Sequence, residues 1–270
     1  MLRLRRAEGS RILGERRGEC STAGDDFAVT TGFEPGAIIA GRHLTPELMQ
    51  TLRDAATKTG VDFDFLVAQA SVESGFRSKA HAARSSAAGI FQFTGPTWLQ
   101  MMREHGAKYG YADLAAAVKP TANGTVGVAD KATQQRILAL RQDDRLSALF
   151  AAEYAKSNAA RLENATGHRA TAAELHLAHL LGPNGAVRFL KAHEDDERQA
   201  AAKVVPAAAR HNPALFYGRG GRTAKSVAAV YQKIQEKLDL PLRQVAELET
   251  DQLRPALGLS SRMPRTDRRA

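Results

Sequence analysis

Alanine recurs throughout this chain, β-branched residues rarely cluster, and aromatic residues make up only 6% of it. Small and straight-chain residues lose little freedom in a helix, whereas strands draw on β-branched and aromatic residues to cover a pleated face. The sequence therefore predicts an all-α fold. With 270 residues, one domain of about 200 residues with a full core plus tails is the simplest arrangement. Hydrophobic residues make up 43% of the chain, and no apolar run approaches the roughly 18 residues that a membrane span needs, so a soluble protein without an integral membrane segment is expected.

The formal charge of +9 would suggest a polyanionic partner, but its distribution argues otherwise. Residues 1–20 hold six Arg and three Glu, a net of +3, and residues 254–270 hold five Arg and one Asp, a net of +4, which leaves +2 for the middle. A nucleic-acid-binding fold carries its basic surface on the folded body, so no nucleic-acid partner is expected. Cys20 is the single cysteine and cannot form an internal disulfide.

Residues 1–42 lack sustained periodicity and read as a disordered basic tail. A domain is expected over 43–242 and a second basic tail over 243–270. Thr45-Pro46-Glu47 opens a helix with Thr as N-cap and Pro at the first position, running to Gly60 with Leu48 and Leu52 buried. A second helix is expected over about 62–74, with Leu66, Ala70 and Glu73 on one stripe, and Gly75 ends it. Residues 76–95 read as a loop folded back on the core through Ile90-Phe91-Gln92-Phe93, and Gly95-Pro96-Thr97-Trp98 starts the next helix. Residues 107–129 read as a long irregular connection. Helices follow at about 130–141 and 144–163. Thr171-Ala172-Ala173-Glu174 is a capping box that opens another, reaching Gly182. A short helix at 184–193 and an amphipathic one carrying Val227, Val230, Tyr231, Ile234 and Leu238 complete the domain.

The most specific stretch is Ala70-Ser71-Val72-Glu73-Ser74-Gly75-Phe76, followed sixteen residues after the glutamate by Gly89-Ile90-Phe91-Gln92-Phe93 and then Thr97-Trp98. An acid that protonates a leaving oxygen near neutral pH must be poorly hydrated, and a glutamate ending an apolar stripe against a loop with Ile90 and Phe91 is placed for that. The segment resembles the soluble lytic transglycosylase (SLT) domain of the lysozyme-like superfamily: an E-S-x-F helix end, a G-L-M-Q-like loop and a T-W helix start. Less sharply, the resemblance extends from about 45 to 240.

It implies a lysozyme-like helical domain that cleaves the β-1,4 bond between N-acetylmuramic acid and N-acetylglucosamine in peptidoglycan, with Glu73 as the catalytic acid and then base. Common glycosidases use two carboxylates, and the motif holds one. In the family, the substrate's 2-acetamido group stabilises the developing cation, and the same glutamate deprotonates the 6-hydroxyl to leave a 1,6-anhydromuramoyl end. The resemblance also implies that Ser74 bonds the carboxylate or the acetamido group and that Gln92 orients the sugar. Ser74 is equally readable as a helix-terminal polar residue and Gln92 as a structural amide. Phe91 is a candidate substrate contact, although large aromatics here read first as core. Glu153 is either a second carboxylate near the substrate or a boundary residue paired with Lys or Arg.

Two departures stand out. Many relatives carry A-Y-N-A-G where this chain has Ala178-His179-Leu180-Leu181-Gly182, so His179 either replaces the missing hydroxyl as a substrate contact or is a satisfied helix histidine. Pro96 also lies one place later than in the common signature. His176, His179 and His193 do not form a metal site by spacing, and neither metal nor cofactor is expected.

The partners implied are glycan strands of peptidoglycan, with a flagellar or secretion apparatus as a further candidate, and the chain is expected to act as a monomer. A hydrolytic lysozyme and a noncatalytic wall-binding assembly factor are the alternative readings. The site of action implied is the periplasm or cell envelope. Met1-Leu2-Arg3-Leu4-Arg5-Arg6 supplies a charged start, but no apolar stretch of 7 or more follows it, so a secretory signal of the common kind is not recognisable.

Overall fold

A computed structural model describes residues 36–82 and 85–256. The fold is all-α and lysozyme-like, with twelve α-helices and two small hairpins among these residues. Residues 1–35 and 257–270, which include most of the first expected tail and half of the second, lie outside the described residues.

The chain enters through strands β1 (Ala37–Ile39) and β2 (Arg42–Leu44), paired antiparallel. Ala40 (φ 48) and Gly41 (φ 72) make the two-residue turn, and Ile39 and Leu44 are buried. This corrects the expected tail: residues 37–42 are structured, because the hairpin turns these two apolar side chains onto the core.

Helix α1 (Pro46–Thr59) starts as its sequence dictates, with the Thr45 hydroxyl accepting from Leu48 N at 3.3 Å and Pro46 in the first turn. Helix α2 (Phe63–Ser74) is buried along most of its length. After the loop come α3 (Gly95–His105) and α4 (Ala112–Ala117), then the hairpin of β3 (Lys119–Pro120) with β4 (Val126–Gly127). The expected irregular connection over 107–129 is thus corrected too, since Leu114, Ala115 and Val118 are buried and hold the short elements in place. Next come α5 (Lys131–Ala139), α6 (Asp144–Thr166), α7 (Ala172–Leu181) and α8 (Pro183–Asp196). Three short helices, α9 (Ala201–Val204), α10 (Pro206–His211) and α11 (Pro213–Phe216), lead to α12 (Val227–Ala256).

Helix α12 overruns the expected domain end at 242. Pro241 would ordinarily stop a helix, because it lacks an N–H and its ring crowds the preceding turn. Here the helix continues because it has apolar surface to bury: Val245 is fully buried, Leu248 packs beside it, and the Gln244 side chain accepts from Ala40 N at 2.6 Å, tying the first hairpin to the last helix. Residues 243–256 are therefore helix rather than tail.

Buried apolar side chains form two clusters. One joins α1, α2, α3 and α6, and the other joins α7, α8 and α12. Helix α2 contributes to both, with Phe65, Leu66 and Ala70 in the first and Ala68 in the second. Its C-terminal turn, where Glu73 sits, lies on the seam.

Candidate active site

Helix α2 ends at Gly75, whose φ of 61° is left-handed, with Gly75 N bonding Ser71 O at 2.9 Å and Phe76 N bonding Ala70 O at 3.4 Å. This closure is favoured by glycine, and Phe76 also has a positive φ (65) while its ring is held in the core. Glu73 thus occupies the last helical turn, beside the carbonyl-rich negative end of the helix dipole.

Its side chain is 11% exposed, and Oε1 is buried without a hydrogen-bond partner. Two histidines of α7 flank that oxygen: His176 Nδ1 at 3.6 Å and His179 Nε2 at 3.7 Å. One turn apart on the same helix face, the two rings stack with centroids 6.3 Å apart. Burial, aided by the charge of Lys237, holds His176 well below the usual histidine range. Burial also lowers His179, outweighing the attraction of Glu73 and the bond to the Phe91 carbonyl. The carboxyl therefore faces two neutral rings rather than two cations, so neither contact is an ion pair near neutral pH.

The loop of residues 85–94 reaches the site through the Phe91 carbonyl, which bonds His179. Gly89 N bonds Ala80 O at 2.9 Å and Ala88 N bonds Phe93 O at 3.2 Å. Gly89 is required there, since its φ is 81° and an added Cβ would stand 1.9 Å from the Arg141 carbonyl oxygen. Gln92 has φ 49, a conformation that costs a non-glycine residue about 1–3 kcal/mol and persists where the surroundings impose it. Its Nε2 donates to Gly89 O at 2.8 Å and to Ala80 O at 3.1 Å, which fixes the amide orientation and leaves Oε1 without a hydrogen-bond partner among the described residues.

Two other candidates are occupied by the protein itself. The Ser74 hydroxyl donates to Ala70 O at 3.3 Å and accepts from Arg77 N at 3.1 Å, which is helix-terminal chemistry. Phe91 is fully buried with no ring surface open to a ligand, which corrects its place among the substrate contacts. What it brings to the site is its carbonyl, the partner of His179.

Glu153 lies elsewhere, against the turn after α3. It accepts from Lys108 Nζ and Tyr109 Oη, both at 2.5 Å, and His105 Nδ1 is 3.9 Å away. Burial works to raise this carboxyl, but the bonds from Lys108 and Tyr109 and the neighbouring charges outweigh it and hold it below the usual range. Of the residues singled out from sequence, the structure gathers Glu73, His179, the Phe91 carbonyl and the Gln92 loop, and it leaves Glu153 in an ion pair.

Two residues were not among the candidates. His176 was noticed in the sequence only as a poor metal ligand, and its three-residue spacing from His179 was the signal that both rings share one face. Tyr154 packs on Phe93 (centroids 6.2 Å) and on His179 (6.2 Å), so α6 brings an aromatic side chain beside the α7 histidine. Its oxygen takes a bond from Asn158, and burial raises its ionisation above the usual tyrosine range. His193 lies against Tyr231, with ring centroids 4.9 Å apart. Among the described residues no group of three His, Cys, Asp or Glu is arranged to hold a metal ion.

A largely buried carboxyl ending a core helix of an all-helical domain fits the lysozyme-like class. Residues 50–172 match the family described as Transglycosylase SLT domain, consistent with a lysozyme-like fold of that family. The matched segment includes Glu73, Gln92 and Glu153 and ends at the first residue of α7, so His176 and His179 lie beyond it. The match supports a transglycosylase-like enzyme with peptidoglycan as substrate. No helix among the described residues is long and apolar enough to cross a membrane.

Proposed function

We propose that the protein is a lytic transglycosylase in which Glu73 cleaves the β-1,4 bond between N-acetylmuramic acid and N-acetylglucosamine. The observation that carries this reading is the setting of Glu73: 11% exposed, at a helix end, beside two neutral imidazoles and within the SLT segment.

In the first step the Glu73 proton passes to the glycosidic oxygen, the bond from that oxygen to C1 breaks, and the 2-acetamido oxygen closes onto C1. In the second, the Glu73 carboxylate takes the proton of the 6-hydroxyl, O6 attacks C1, and the acetamido group is released. The products are a 1,6-anhydromuramoyl end and a free 4-hydroxyl, and Glu73 regains its proton without water being consumed. The state of Glu153 favours this route over a two-carboxylate one: Lys108 and Tyr109 occupy it, and it is held ionised. In this reading Gln92 Oε1, unpartnered among the described residues, accepts from a sugar hydroxyl or amide.

Because its substrate is wall glycan, the protein acts in the cell envelope. Mass analysis of the fragments released from purified sacculi tests the reading. Ends lighter by one water than the reducing sugar are expected; reducing ends alone would make the enzyme a lysozyme, and binding without release would make it a wall-binding factor.

A further inference from the structure

Beside Glu73 lies a buried titratable group that the reaction above does not use. His176 is fully buried in α7, and neither of its ring nitrogens has a hydrogen-bond partner. Buried polar groups in folded proteins are nearly always served by a partner, so an imidazole bare at both nitrogens calls for one. Glu73 Oε1, on α2, stands 3.6 Å from its Nδ1 and is itself buried and unpartnered.

The surroundings decide which group serves the other. Glu73 ends α2, where the backbone presents carbonyl oxygens and no N–H donors, so a carboxylate formed there needs a donor from another element. A neutral imidazole has one N–H to give. In His179 that proton is engaged by the Phe91 carbonyl, although its Nε2 stands 3.7 Å from the same oxygen. In His176 the proton is uncommitted. The other ionisable groups acting on the His176 ring are His179 and Lys237 of α12, and His211, Lys233 and Glu236 line the cavity behind it. Lys233 is paired with Glu236 at 3.0 Å. Burial and the charge of Lys237 keep His176 a neutral donor near neutral pH and exclude it as a second acid.

We propose that His176 is a positioning residue for Glu73: with its proton on Nδ1, it donates to Oε1 as negative charge develops there, and it holds the carboxylate until the proton of the 6-hydroxyl arrives. This rests on the reading of Glu73 as acid and then base. The His176 proton stays on its own nitrogen throughout, and the ring touches no substrate. Shortening 3.6 Å to the roughly 2.9 Å of a charge-assisted bond takes under an ångström of movement, and such bonds are commonly long before substrate arrives. A bond to a carboxylate is about twice as strong as one to a neutral carboxyl, so it favours the transition state over the resting enzyme.

Nitrogen NMR of the full chain, with isotope-labelled histidine, reads the tautomer without turnover, and the His176 signals are identified by their loss in His176→Asn. Protonation on Nδ1 is expected near neutral pH; protonation on Nε2 overturns the proposal whatever the activity. The second arm is kinetic, on uncrosslinked glycan strands. In His176→Leu, kcat should fall about tenfold with KM unchanged, and the alkaline limb of the pH profile should move up by about one pH unit, because the carboxylate loses its donor. His176→Asn, which returns an N–H donor, should recover part of both. Parental kcat and pH profile in the folded His176→Leu chain, or equal losses in the two variants, would contradict the role. Absence of release by the parent would sink the reading of Glu73, while the tautomer still decides the contact.

Discussion

His176 Nδ1 lies 3.6 Å from Glu73 Oε1, and both atoms are buried without a hydrogen bond. The two polar groups sit on different helices, just outside hydrogen-bonding distance. His179 approaches the same oxygen at 3.7 Å, so α7 lays two rings against the C-terminal turn of α2.

The neutral state of His176 carries a stability consequence. Its folded-state pKa is depressed well below the ordinary 6.5, chiefly by burial, with Lys237 and His179 adding to it. Above about pH 6.5 the ring is neutral in both folded and unfolded chains and contributes no pH dependence. Below that, the unfolded chain takes up a proton that the folded one refuses, so stability falls by up to about 1.4 kcal/mol per pH unit until the folded pKa is reached. Denaturant unfolding at pH 7.5, 6.5 and 5.5 reads this. His176→Leu is expected to lose less stability than the parent across that fall, and parallel curves would exclude the assignment.

The loop over the site depends on one glycine. In Gly89→Ala the new Cβ would meet the Arg141 carbonyl oxygen at 1.9 Å in a backbone of φ 81°, so loop and α5–α6 junction cannot both keep their places. A destabilisation of about 2 kcal/mol or more is expected, seen as a lowered Tm. Gly110→Ala, also left-handed but with open space around it, is the control and should cost less.

Much of this site could be read from the sequence, because its parts are local. Glu73, Gly75 and Gln92 fall within twenty consecutive residues, and Thr45-Pro46 and Thr171–Glu174 announce their helices through caps that the structure contains. Features created by distant packing were hidden. The hairpin around Ala40-Gly41 is only three residues per strand, and α4, at six residues, is too short to display a helical period. His176 looked like one more helix residue until α7 met α2.

Pro241 masked the length of α12, and that continuation can be tested. Val245 is fully buried, so Val245→Ala should cost on the order of 2 kcal/mol through lost burial and an unfilled space. Arg243→Ala, two residues away and exposed, should stay within about 0.5 kcal/mol. Equal and small effects in both unfolding curves would mean that the helix beyond Pro241 adds nothing to the fold.

The central claim is tested most directly by Glu73→Gln, which keeps the shape of the side chain and removes its ability to exchange a proton. Muropeptide release from purified sacculi should fall by about 10² to 10⁴-fold, with the thermal unfolding curve showing an intact fold. Release at the parental rate by the folded variant would contradict the assignment of Glu73 as acid and base.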